Sequence, residues 1–165
     1  MGGQLRPSGE NMNRHRARAA VFGMLSIAWV CAMTWFSMQS GEESGALSGK
    51  IVDGLLGWML ARGADAEKIE FLVRKLAHFG MFALSGLLTG MSLFSIGRGR
   101  GALMASLGLE AVIAVSNELV QLLPEGRTCS VRDMLIDFSG AALGVGIAML
   151  ISRFGGQKER QGKEL

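Results

Sequence analysis

The sequence predicts an all-α, polytopic membrane protein, a bundle of four transmembrane helices with a short interfacial helix between the first and second. Two observations carry this. The 165-residue chain is 49% hydrophobic and only 19% charged, and its apolar residues fill several windows on all sides over the ~20 residues that hydrocarbon requires. A soluble helical domain would instead confine them to stripes facing a core. The windows are also separated by turn signals and basic residues, and polar tails and a polar connection explain a mean hydropathy of only +0.32.

Taken in order, residues 1–17 contain Gly2, Gly3, Pro7, Gly9, Asn11 and Asn13 without an apolar period, and are expected as a flexible basic tail. Arg14, Arg16 and Arg18 lead into the first membrane helix, residues 19–38. That run is longer than a signal-peptide core and ends in Trp35-Phe36-Ser37-Met38-Gln39 rather than at a small-residue cleavage site, so it is expected to persist as an anchor. Ile51, Val52, Leu55, Leu56, Met59 and Leu60 then recur at helical spacing. An interfacial amphipathic helix over about 49–62 is expected, with Trp58 at headgroup level; Asp53 and its length make it too polar and too short to span.

The second membrane helix is expected over about 71–96, closed by the basic turn Gly97-Arg98-Gly99-Arg100-Gly101. The third runs over about 102–123 and stops at Pro124-Glu125-Gly126, where proline ends a helix. The fourth covers about 131–153, followed by a polar tail over 154–165. The two cysteines, Cys31 and Cys129, have no metal-type spacing, and no disulfide is expected.

The formal charge is +3, and the basic residues are scattered at segment ends. Nucleic-acid binding would need them gathered into a patch. Ten of the seventeen lysines and arginines lie in or directly beside the amino-terminal tail, the Arg98/Arg100 turn and the carboxy-terminal tail. Four passes place all three on one side, which the positive-inside rule makes cytoplasmic. The partner implied is the lipid bilayer, and nothing in the chain fixes an oligomeric state.

Ionisable groups inside membrane segments are costly and mark functional sites. Here they converge. Ser37 and Gln39 close helix one, Lys75 and His78 open helix two, Glu118 and Gln121 end helix three, and Asp133 and Asp137 open helix four, all at the extracytoplasmic end. At 100° per residue, His78, Phe82, Ser85 and Thr89 share one face, and Asp133, Asp137, Gly140 and Gly144 form one stripe. Gly140/Gly144 and Gly86/Gly90 are expected to serve ordinary helix packing.

Such a group can neutralise itself and fix the fold. It can also run acid/base catalysis with His78, Glu118 or Asp137, with Lys75 and Arg127 on a phosphate. A divalent metal is an option without a specific signature, so no cofactor is assigned. Glu110 lies some eleven residues before Gln121, roughly 16 Å deeper along the helix. It reads as a buried carboxyl or as a step in an ion path.

Phe36-Ser37-Met38-Gln39, Glu43-Ser44-Gly45, Lys75-Leu76-Ala77-His78-Phe79, Asn117-Glu118-Leu119-Val120-Gln121 with Gly126-Arg127, and Asp133-Met134-Leu135-Ile136-Asp137 with Gly140 and Gly144 together resemble the VanZ-like family, from Trp35 to Ile151. The resemblance implies a small integral protein of the bacterial cytoplasmic membrane in a cell-envelope setting, in a family named for a protein linked to teicoplanin resistance. It implies that Ser37, Gln39, Ser44, Lys75, His78, Glu118, Gln121, Arg127, Asp133 and Asp137 form the site. It supplies no reaction. Where the family commonly has an acid before the glutamate and a tyrosine after the histidine, this chain has Asn117 and Phe82.

The leading expectation is a non-enzymatic envelope protein that holds a polar group, anionic or peptidoglycan-related, at its outer mouth. The alternatives are an enzyme acting on an isoprenoid- or phospholipid-linked headgroup, and a small transporter or accessory subunit.

Overall fold

The computed structural model describes residues 9–39, 46, 49–50, 54, 57, 62–63, 65–97, 99–124 and 129–161. Among them are four long helices: α1 (Gly9–Ser37), α2 (Ala66–Ile96), α3 (Arg100–Val120) and α4 (Val131–Gln161). Each contains a stretch long and apolar enough to cross a membrane, and no strand occurs among the described residues. The all-α, four-span architecture is therefore as the apolar windows imply. The expected interfacial helix, Trp58, Ser44 and Arg127 lie wholly or largely outside the described residues.

The helix ends differ from the sequence expectation where polar residues extend an apolar run. Residues 9–17, expected as a tail, are the first turns of α1, and α4 continues past residue 153 to Gln161. Once an apolar span has nucleated a helix, each further residue adds a hydrogen bond. Met12, Arg14, Arg16 and Ala17 at one end, and Gln157 to Gln161 at the other, are mostly good helix formers. At the start of α2, Asp65 accepts the Lys68 N–H at 3.3 Å and opens the helix at Ala66 rather than at residue 71. At the end of α3, Leu122 N–H bonds Leu119 O and Leu123 N–H bonds Val120 O, each at 3.1 Å. The last residues of that run thus tighten into a three-residue-type turn before Pro124.

The most extensive helix pairing is between α2 and α4, whose amino termini lie at the same end of the bundle. Four glycines make it possible. A Cβ on Gly140 would collide with Phe79 O, one on Gly144 with Ala83 O, and one on Gly86 with Ala141 O; one on Gly90 would come within 2.6 Å of the Ala148 Cβ. In lipid no hydrophobic force holds helices together, so close backbone approach and its dispersion energy replace it.

Helix α2 also packs on α1 and α3, while α1 and α3 share the loosest of the direct contacts. Two apolar clusters fill the interior. One centres on Phe82 with Met33, Ala114 and Ala141; the other joins Met91, Phe94, Val145 and Ala148. Many large apolar side chains point outward, among them Ile27, Met104, Val112, Leu135 and Leu150. In water this would be an aggregating surface, and in a bilayer it is the lipid face.

Candidate functional site

The glycine contact sets the register of α2 against α4, and with it the polar groups above. One turn outward from the Phe79–Gly140 approach, His78 Nδ1 lies 3.5 Å from Asp137 Oδ1. A further turn out, Lys75 Nζ meets Asp133 Oδ1 at 2.5 Å. Lys75 and Asp133 keep roughly a fifth to a quarter of their side-chain surface, whereas the Asp137 side chain is 1% exposed. Lys75 also lies 5.3 Å from the centre of the Phe71 ring, which favours a cation there.

Helix α3 brings Glu118 to the same place. Its Oε2 accepts the Ser130 N–H at 3.0 Å, and Ser130 O in turn receives Asp133 N–H and Met134 N–H. Glu118 thus sits at the amino terminus of α4, where the unpaired N–H groups and helix dipole favour an anion. It is buried and lies within electrostatic reach of Asp133, Asp137 and His78. Helix α1 contributes Ser37, whose hydroxyl donates to Asn117 Oδ1 at 2.6 Å. Gln39 is half-buried beyond it, and Gln121 is buried at the end of α3.

Five of the sequence-predicted residues, Lys75, His78, Glu118, Asp133 and Asp137, therefore form one cluster, with Ser37 and Gln121 at its α1/α3 side. Several buried polar atoms there lack a hydrogen bond among the described residues: Glu118 Oε1, both oxygens of Asp137, Asn117 Nδ2 and Gln121 Nε2. A buried carboxylate oxygen without a donor is costly, and each such group calls for a partner, whether water, ion or ligand. Among the described residues no group of three or more His, Cys, Asp and Glu side chains is placed to hold a metal ion.

Phe82 and Asn117 each have a local explanation. Phe82 is fully buried against Met33, Ala114 and Ala141, where a phenol hydroxyl would need a partner. Asn117 is an acceptor for Ser37 and needs no charge to be one.

A second polar group, deeper in the bundle, joins three helices. Glu110 is fully buried and accepts a hydrogen bond from Ser85 at 3.1 Å, while the Ser26 and Thr89 hydroxyls bond each other at 2.8 Å one turn along α2. Thr89 was legible as part of the α2 polar face, but Ser26 carried no signal, since a lone serine in an apolar run is common in membrane helices. The cysteines are both free, Cys31 on the exposed surface and Cys129 half-buried.

The fold and this cluster define an integral membrane protein of four helices with an ionisable site at one end of the bundle. The model of the VanZ/LLP1 family matches residues 22–152, most of the chain, and the protein belongs to that family. No curated protein and no solved structure matches the chain.

Proposed function

We propose that this VanZ-like protein lies in the bacterial cytoplasmic membrane with both termini in the cytoplasm. Its polar mouth on the extracytoplasmic side holds the headgroup of an envelope lipid or lipid-linked cell-wall precursor. Occupancy of that site alters access to the headgroup, and with it susceptibility to glycopeptides such as teicoplanin. The observation that carries the reading is the cluster of Lys75, His78, Glu118, Asp133 and Asp137 at one end of the bundle, with the buried oxygens Glu118 Oε1 and Asp137 Oδ2 left without donors among the described residues. Lys75 is paired with Asp133, and among the described residues unpaired acceptors on Glu118 and Asp137 stand beside unpaired donors on Arg74, Asn117 and Gln121. These side chains suit a headgroup that both donates and accepts hydrogen bonds, as sugars, peptides and phosphoethanolamine do. The distribution of lysine and arginine supports the orientation.

The test is teicoplanin susceptibility in a deletion strain complemented with wild type, His78→Ala or an empty vector. The reading expects wild type to shift susceptibility and His78→Ala to behave like the empty vector. Identical susceptibility in all three strains would remove its support.

The His78–Asp137 pair favours a second reading, an enzyme acting on a lipid-linked headgroup. A carboxylate 3.5 Å from imidazole Nδ1 needs only to close to hydrogen-bond distance to hold the tautomer that leaves Nε2 free as a base. Accumulation of one lipid or precursor in the deletion strain, cleared by wild type but not by Glu118→Gln, separates catalysis from binding. A binding protein leaves bulk pools unchanged.

A further inference from the structure

Where α1 and α3 part, they leave a lateral cavity of about 220 Å³. It is lined by Val30 and Met33 from α1 and by Val112, Ile113, Asn117 and Val120 from α3. The lining is mostly apolar, with Thr34 and Ser116 adding hydroxyls to it, and Val112, 62% exposed, stands at its lip on the lipid side. Its volume is about seven times the ~30 Å³ share of one water molecule, too small for a whole lipid and enough for a length of one hydrocarbon chain.

The outer end is different in kind. Asn117 is 5% exposed; its Oδ1 is occupied by the Ser37 hydroxyl, and its Nδ2 is buried without an acceptor among the described residues. The next residue along α3 is Glu118, so the outer end of the cavity lies at the depth of the carboxylate cluster. A hydrogen-bond donor at the junction of an apolar groove and a polar mouth suits the linkage oxygen of an amphiphile.

Which oxygen follows from charge. A prenyl phosphate carries its anionic group at the head of the chain, which would put phosphate against Asn117. No lysine or arginine is among the residues lining the cavity, so that charge would be uncompensated in a poorly screened place. An ester-linked glycerolipid instead puts a neutral carbonyl at that level, and its headgroup reaches further out. We propose that the α1/α3 groove binds one acyl chain of an ester-linked glycerolipid, with the ester carbonyl accepting from Asn117 Nδ2 and a donor-bearing headgroup at the carboxylate cluster. The assignment rests on the headgroup reading above for its polar end, and on the groove and Asn117 for the rest.

The test uses the full chain purified into nanodiscs containing phosphatidylethanolamine with a photoactivatable diazirine on one acyl chain. Crosslinks are mapped by mass spectrometry. The expected result is label concentrated at residues 30–34 and 112–120, strongly reduced in Val112→Trp, which fills the groove from an exposed position and leaves the core untouched. Unlabelled ester-linked lipid should compete about twofold to tenfold better than its ether-linked analogue, the range of one amide–carbonyl hydrogen bond. That difference should vanish in Asn117→Leu.

Label spread evenly over the lipid faces of all four helices would overturn the assignment, as would label unchanged in a Val112→Trp protein that retains wild-type elution and helicity. Polyprenyl phosphate competing better than ester lipid would overturn the occupant. Groove labelling with teicoplanin susceptibility unaffected would sink the headgroup function alone, and the converse would sink the groove alone.

Discussion

The α2/α4 contact makes a prediction whose sign changes within two residues of one helix. A Cβ on Gly144 would meet backbone on three sides, colliding with Ala83 O and lying 2.6 Å from Leu87 N and 2.9 Å from Ala83 C. Ordinary Cβ contact begins near 3.4 Å, so the two helices must separate by more than an ångström in Gly144→Ala, and no flexible side chain can absorb the shift. Overpacking of this kind costs about 1–3 kcal/mol, partly offset by up to about 1 kcal/mol from the better helix propensity of alanine. Gly146 has nothing within 4 Å of a Cβ, so Gly146→Ala should gain the propensity without the clash. Reversible unfolding in mixed micelles, followed by circular dichroism, measures both. Gly144→Ala should be less stable than wild type and Gly146→Ala as stable or more so, a separation of about 2 kcal/mol. Equal midpoints for the two variants would refute the close backbone crossing on which the helix register rests.

Three further outcomes follow from individual contacts. In a double-mutant cycle, Lys75→Met and Asp133→Asn should show a coupling of about 1 kcal/mol, the upper end for a partly exposed pair, and simple additivity would mean that their 2.5 Å contact contributes nothing. Ser85→Ala removes the hydroxyl that serves Glu110 Oε1 and should cost about 0.6 kcal/mol, and at most about 1.7, in the same unfolding assay, the average and the maximum found for hydrogen bonds between membrane helices. An unchanged midpoint would show that Glu110 finds another donor. Hydrogen bonds from the Lys68 side chain and backbone to Asp65 hold its carboxyl below the ordinary aspartate range. Its support for the first turn of α2 is therefore complete above the unfolded-state value and is lost as pH falls through the lower folded value. Amide exchange at Lys68 should accelerate over that acid window in wild type and show no such step in Asp65→Asn.

The four spans were legible because hydrocarbon thickness fixes the length of an apolar run, whatever the helix later packs against. The helical angle was equally informative: Asp133, Asp137, Gly140 and Gly144 share a stripe, and the two ends of that stripe meet Lys75 with His78 and the backbone of Phe79 with Ala83. Three things were not visible. Helix ends built from polar residues, at Gly9 and Gln161, look like tails because their stability comes from the span beside them. The glycines of α2 and α4 could be assigned to packing but not to each other, since pairing depends on which helices are neighbours. The Glu118–Ser130 bond was hidden for a different reason: it is a backbone contact, and a serine N–H has no sequence signature.

The same crossing that holds the helices together also sets the geometry of the site, and this can be tested apart from stability. A Cβ on Gly140 would strike Phe79 O and lie 3.1 Å from Phe79 C and 3.2 Å from its Cα; Phe79 is the neighbour of His78, and Asp137 is one turn from Gly140. Gly140→Ala must therefore push α2 away at the level where His78 Nδ1 and Asp137 Oδ1 stand 3.5 Å apart. At the far end, the Cβ of Gly90→Ala would meet the Ala148 side chain at 2.6 Å, several turns from the cluster. Charge interactions weaken with distance and strengthen where solvent is excluded. Opening the first contact should shift the nitrogen resonances of the His78 imidazole, and opening the second should not. With His15 replaced to leave one histidine, nitrogen-15 spectra of the two variants compare these sites directly. Equal shifts in both would mean that α2 moves as a rigid rod with no local register, and no shift in either would mean that His78 does not feel Asp137 at all.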